Sequence, residues 1–264
     1  MVMRLLLALP FLPLIQDKVA LKAEWKKGDV VACTATETLR ATFDVEKLEG
    51  AGKLEKSLRT VRAWTDTVLA VDADARASKV ERVFTTHTRE EVDSAKLPGK
   101  PVKSPLDGKT LVIMRKGAET LFEGADDIDE KELRLERLRP DPLLAALPAE
   151  AVAVGATWKP DGKAYLADLN ARKPPATWVS AEITASLDRV EKGIATVVYA
   201  IKLRGKTDRG EAASLDASGR HALRVADGRL LAFGLEASFV IESDGRRTCV
   251  ASIVTEHSFA WNPK

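Results

Sequence analysis

Few residues in this chain could do proton, thiol or metal chemistry. There are three histidines, His87, His221 and His257, and two cysteines, Cys33 and Cys249. A histidine serves as general base when a neighbouring group orients it and a substrate proton lies within hydrogen-bond reach. His87 falls on the more polar row of its segment, between Thr86 and Thr88, and this predicts an exposed place on a sheet. His221 opens a short segment after Gly219-Arg220, with no carboxylate within a few residues. His257 shares parity with Cys249, Ile253 and Phe259, so it is predicted to face inward and be hydrogen-bonded there. On one strand face Cys249 and His257 would stand ~26 Å apart, too far for a thiolate and its base.

The metal and nucleotide signatures are equally sparse. No GxSxG, HExxH, GxxxxGK or GxGxxG occurs, and no CxxC or Cys/His spacing suits zinc. The acidic run GADDIDEKE (124–132) is the best metal candidate, since hard cations favour several carboxylates. It lacks the turn glycine and closing glutamate of a calcium loop, and carboxylates at a helix start have an ordinary electrostatic role. Asp72 and Asp74, in VDADA, read as a turn. The expectation is a chain with no catalytic, cofactor or metal residues, hence not an enzyme. The cysteines leave two readings open. They are a candidate disulfide, Cys33 with Cys249, tying the first long strand to the last, or two buried free thiols.

The elements that would position these residues alternate with period two. Val31, Cys33, Ala35, Leu39, Ala41 and Phe43 share one parity against Thr34, Thr36, Thr38, Arg40 and Thr42, and Val179–Leu187 and Leu231–Ile241 repeat the split. Lys192-Gly193, Asp227-Gly228 and Asp244-Gly245 separate alternating runs and suit tight hairpins. Strands are predicted at 20–26, 29–45, 57–72, 77–93, 108–115 and 119–123, then at 177–189, 194–204, 219–226, 229–242 and 246–261. GKTLVIMRKGAETLF (108–122) and GRHALRVADGRLLAF (219–233) echo each other, and suggest a duplicated hairpin.

Helix is predicted only at 126–147, with LLAAL (143–147) as a second short piece whose Leu143, Leu144 and Leu147 plug one opening of the sheet. The fold class expected is mainly β: long antiparallel meanders in a curved sheet, half-barrel or sandwich, with one short helical segment near 126–147. Trp25, Trp64, Trp158, Trp178 and Trp261 could line a cavity, but they more often fill cores and strand ends.

MVMR followed by LLLALPFLPLI and a polar QDK has the order of a secretory signal. Its eleven apolar residues fall short of the ~20 that span a bilayer as a helix, so residues 1–17 are read as a signal peptide with an uncertain cleavage site. The remainder divides into an N-terminal β half (18–125), a helical connector and hinge (126–160) and a C-terminal β-meander half (161–264). No transmembrane segment is expected in the mature chain. With 41 basic against 39 acidic residues, interleaved throughout and leaving +2, the charge pattern is a solvated surface and argues against nucleic acid as a partner.

The succession WKKGDVVACTATET (25–38), VLAVDADARASKVERV (68–83), SPLDGKTLVIMRKGAE (104–119) and ALPAEAVAVGATWKP (146–160) resembles an uncharacterised family of exported bacterial β-rich proteins. Members start a strand with Lys-Gly-Asp and carry a Leu-Pro…Val-Gly-x-x-Trp element; this chain has Gly155-Ala156 where Gly-Asp is commoner. The resemblance implies an architecture and an exported location, periplasmic or extracellular, and no activity. At fold level the one-sided strands are similar to the half-barrels of periplasmic lipoprotein carriers. Two functions are therefore expected as alternatives. The chain binds an apolar, lipid-like ligand on a concave sheet, or it is a structural or interaction module of the cell envelope with no small-molecule ligand.

Overall fold

The computed structural model describes residues 18–44, 53–73, 75–93, 100–116, 119–136, 147–170 and 176–262. The proposed leader, Asp74, Leu143 and Leu144 lie outside them. The strands are β1 (Val30–Asp44), β2 (Lys53–Val71), β3 (Ala77–Asp93), β4 (Val102–Lys103), β5 (Thr110–Lys116), β6 (Glu119–Glu123), β7 (Thr157–Trp158), β8 (Ala176–Glu191), β9 (Ile194–Thr207), β10 (Ala212–Arg224), β11 (Arg229–Ser243) and β12 (Arg246–Trp261). The helices are α1 (Glu130–Leu135) and α2 (Gly162–Asn170).

All twelve strands form one antiparallel sheet in the order β6-β5-β3-β2-β1-β12-β11-β10-β9-β8-β7, with β4 beside β3. The two expected halves are thus two wings of a single sheet, joined where β1 pairs with β12 from Val31↔Trp261 to Phe43↔Cys249. The sheet is open. Each strand hydrogen-bonds only its neighbours in that order, so one continuous sheet stands in place of the two of a sandwich. It curls enough for Trp178 of β8 to meet Phe239 of β11 at 6.0 Å, and α2 lies on β8. Register shifts in β2–β3, β8–β9, β10–β11 and β11–β12 bend the strands. Small side chains on the core-bearing face, such as Ala35, Ala41, Ala217, Ala237 and Ala251, leave room for that face to curl inward.

Local chemistry explains the hairpins. Lys192-Gly193 and Asp244-Gly245 both take positive φ at each residue, the geometry that twists a two-residue turn into register with its strands. The expected strand at 20–26 is a strap instead. It makes a single bridge, Val19↔Val152, and then crosses the end of the sheet: Leu21 enters the core, Lys22 passes the Gly228 turn and Trp25 packs at a tilt against Trp261, ring centres 4.7 Å apart. Its alternation recorded burial on one side without strand pairing. Asp29 fastens the strap through Arg229 at 2.7 Å, whose guanidinium also lies over the Trp261 ring.

The described part of 126–147 contains a short helix, and a second helix, α2, stands where none was predicted. Of 126–147, α1 occupies only Glu130–Leu135, and 137–146 lies outside the described residues. Helix α2 was not legible as one: its apolar residues Tyr165, Leu166 and Leu169 are few, and its start is set by Asp161, whose carboxylate accepts the Lys163 N–H at 2.9 Å. At the far end the Asn170 side chain acts as a short piece of strand. Its amide donates to the Trp178 carbonyl at 2.8 Å and its oxygen accepts the Trp178 N–H at 2.9 Å. Gly155, at φ 83°, donates to the Leu187 carbonyl, and the following residues form β7 on β8. The segments 108–122 and 219–233 are both hairpins, β5–β6 and β10–β11, at separate places in the sheet.

Candidate functional site

Register turns the one-sided strands into one continuous inner face. Its C-terminal wing is a packed core in which Leu187, Val197, Ile201 and Leu203 are fully buried, covered by Tyr165, Leu166 and Leu169 of α2, Val152, Val154 and the strap's Leu21. Its N-terminal wing packs Trp64, Val68, Val80, Phe84, Leu111 and Ile113 under Leu106, Ala125 and Ile128. Between the wings the middle of the face carries Leu39, Leu215, Phe233, Leu235, Ile253 and Phe259, all half-buried. They form an apolar trough along β1, β12, β11 and β10.

A buried ionic network fixes the N-terminal wing. Arg82 holds Asp66 through two bonds, at 2.7 and 2.8 Å, and reaches Glu136 at 2.8 Å; Arg62 meets the other Glu136 oxygen at 3.1 Å. Arg89 and Ser104 both bind Glu132. Burial opposes the Glu136 charge, but Arg82 and Arg62 outweigh it and hold the carboxyl below its ordinary range. Burial likewise works against the Arg82 charge, and Asp66 and Glu136 reverse the balance, leaving its proton more tightly held than usual. The arrangement ties α1 to β2 and β3.

The structure relocates the candidate residues. All three histidines lie in one transverse row of the inner face, which runs His221–Phe233–His257–Ala35–Arg62–His87 from β10 to β3. His221 hydrogen-bonds the Tyr199 hydroxyl at 2.9 Å, and His257 sits half-buried against Phe233 and Phe259. The exposed place expected for His87 is corrected: it is wholly buried. A bulge at Thr85, where Trp64 pairs Phe84 and Ala63 pairs Thr86, shifts the alternation by one residue and swings His87 inward.

The candidate disulfide is corrected too. Cys33 and Cys249 are free, and although their strands are neighbours, Cys33 stands opposite Phe259 and Cys249 opposite Phe43. Ten residues of register put them roughly 33 Å apart, against a Cα separation of no more than about 7 Å in a disulfide. Burial raises both thiols above their ordinary value, which keeps them protonated. The tryptophans fill cores and ends: Trp64 and Trp178 are buried and Trp25 with Trp261 close one end. Among the described residues no group of three or more His, Cys, Asp or Glu is placed to hold a metal ion. Asp127 pairs with Lys109, and Asp72 with Arg115 and the Arg76 N–H. No helix among the described residues is long and apolar enough to cross a membrane.

Two shallow depressions, of about 470 and 460 Å³, lie on the opposite, outer face. Small residues such as Ser218, Ser238, Ala222 and Gly234 make them, with Lys202, Glu236, Arg220 and Glu256 at their rims.

No family model matches the chain, and no curated protein matches it in sequence. Among solved structures the chain is similar in fold to one described as "lipid-protein interactions in lipovitellin", with a TM-score of 0.52 and 7% sequence identity. The match covers 91% of this chain and 26% of that one, so this chain spans about a quarter of lipovitellin's length.

Proposed function

We propose that the protein is an exported, non-enzymatic binder of an apolar, lipid-like ligand, held on the inner face of its sheet. One observation carries the reading. Leu39, Leu215, Leu235 and Ile253 stay only half-buried in the middle of a face whose two ends are packed cores. A contiguous apolar trough of this kind is a surface that soluble proteins use for binding. The fold likeness to a lipovitellin structure concerned with lipid–protein interactions supports the same reading by analogy. The apolar run LLLALPFLPLI supports export. The non-enzymatic part is supported by how the reactive groups are used: both thiols are held protonated, and Asp66, Glu132 and Glu136 are committed to arginines.

Titration of the purified chain with a fluorescent polyene fatty acid tests this. The expected result is saturable enhancement, weakened about tenfold (~1.4 kcal/mol) by Leu235→Glu or Ile253→Glu and unchanged by Val179→Glu at an exposed bulge near the start of β8. No enhancement, or equal enhancement in all variants, rejects the ligand and leaves the envelope interaction module.

A further inference from the structure

His87 is the buried polar side chain left without a hydrogen bond among the described residues: neither Nδ1 nor Nε2 has a partner, and none of the residue is exposed. Native proteins seldom leave a buried polar group in that condition without a reason. Its backbone is well held, with the N–H donating to Asp107 at 2.9 Å and the carbonyl accepting the Ser104 N–H at 2.8 Å. Its ring stacks on Phe84.

Charged groups face the ring from each element packed around it. They are Arg62 of β2, Arg89 of its own strand, Glu132 and Glu136 of the α1 segment, and Asp107 of the turn, which Lys103 of β4 neutralises. Every one of those carboxylates is already engaged. Glu136 serves Arg62 and Arg82, Glu132 serves Arg89 and Ser104, and Asp107 serves Lys103 and the His87 N–H. The Glu136 and Glu132 bonds are also what fastens the α1 segment to the sheet. A hydrogen bond to a charged His87 ring would therefore have to draw one of these carboxylates from its present partner, and Glu132 and Glu136 are the two that hold α1.

We propose that α1 and the turn at 104–107 form an acid-released cap, which a proton on His87 detaches from β2 and β3. The sign follows from burial, which dominates and lowers the ring's proton affinity, with Glu136 pulling the other way and failing to restore it. Folded His87 then binds a proton less readily than the unfolded chain. The cap keeps its full stability above the ordinary imidazole value of about 6.5 and loses it as the pH falls below that. One proton per opening sets a limit of about tenfold per pH unit. Detachment would uncover Trp64 and Phe84 beside the histidine row, independently of whether the trough holds a lipid.

Hydrogen exchange at pH 7.5 and 5.5, corrected for intrinsic rates, tests the cap in the full chain. Amides of 102–107 and 125–136 are expected to lose up to about tenfold of their protection at the lower pH, while β8–β12 keep theirs. His87→Phe should abolish that loss. Equal protection of the wild-type cap at both pH values, or the same loss in His87→Phe, overturns the proposal. The wild type alone supplies a second criterion through NMR titration of the His87 ring, which in the closed chain should charge only below the ordinary imidazole value of about 6.5. A ring that charges at or above that value while the cap stays closed overturns it as well.

Discussion

Replacing Glu136 by alanine removes a carboxylate that is 1% exposed and shared between two arginines, at 3.1 Å to Arg62 and 2.8 Å to Arg82. Breaking a buried ion pair from one side typically costs about 3–5 kcal/mol, because the partner is left desolvated and unpaired. Arg82 keeps its two bonds to Asp66, so the stranded charge is mainly that of Arg62 and the expected loss lies near the lower limit, about 3 kcal/mol. With roughly 2–4 °C per kcal/mol for a chain of this size, the melting temperature should fall by about 6–12 °C. Glu136→Gln keeps the shape and one acceptor and should lose about half as much. Reversible urea unfolding of the three proteins measures this directly. The solvated pair Lys109–Asp127 is the control, and Asp127→Ala should leave the curve where it was. A Glu136→Ala protein within ~1 kcal/mol of wild type would refute the idea that this network holds the N-terminal wing together. Because Glu136 titrates below its ordinary range, its contribution is complete above the unfolded glutamate value near 4.3 and is lost as the pH falls through the folded one. That window lies below the one expected of His87.

Asn170→Ala takes two hydrogen bonds from the buried Trp178 backbone and should cost about 1–3 kcal/mol by chemical denaturation, with faster exchange confined to the start of β8. Gly205→Ala should destabilise by about 1–3 kcal/mol, since a Cβ there would stand 2.3 Å from the Thr177 carbonyl and 2.9 Å from the Trp178 Cα, both backbone atoms that cannot swing aside. A denaturing thiol titration without reductant should count two free thiols per chain, and a count of zero would contradict the register of β1 on β12.

Period-two alternation made most strands legible, and it was most reliable where turn residues punctuated it. The run 246–261 begins just after Asp244-Gly245, and β12 spans Arg246–Trp261. The pattern failed where something other than pairing produced it or where a bulge interrupted it. Leu21 and Trp25 alternate because the strap buries one side, and His87 was misplaced because a single extra residue at Thr85 inverts parity, a change with no signature in composition. The first part of β10 was missed because only Leu215 stands between its small inward residues Ala213 and Ala217, too little apolar alternation to read as a strand. The histidine row was out of reach for a different reason. It depends on β1 lying beside β12, a contact between residues more than 200 positions apart that no local pattern specifies.

The Asn170 side chain has a consequence for association. It occupies Trp178 on the outer margin of β8, β7 occupies Ala185 and Ser186, and Gly155 with Ala156 occupies Leu187. Sheets polymerise edge to edge only when both margins offer free backbone groups. Here, among the described residues, stretches of the β8 margin are already occupied, while β6 ends the sheet on the other side, so the two margins offer unequal backbone to another molecule. A sheet with one margin partly blocked is a poorer template for end-to-end growth than one with two bare margins.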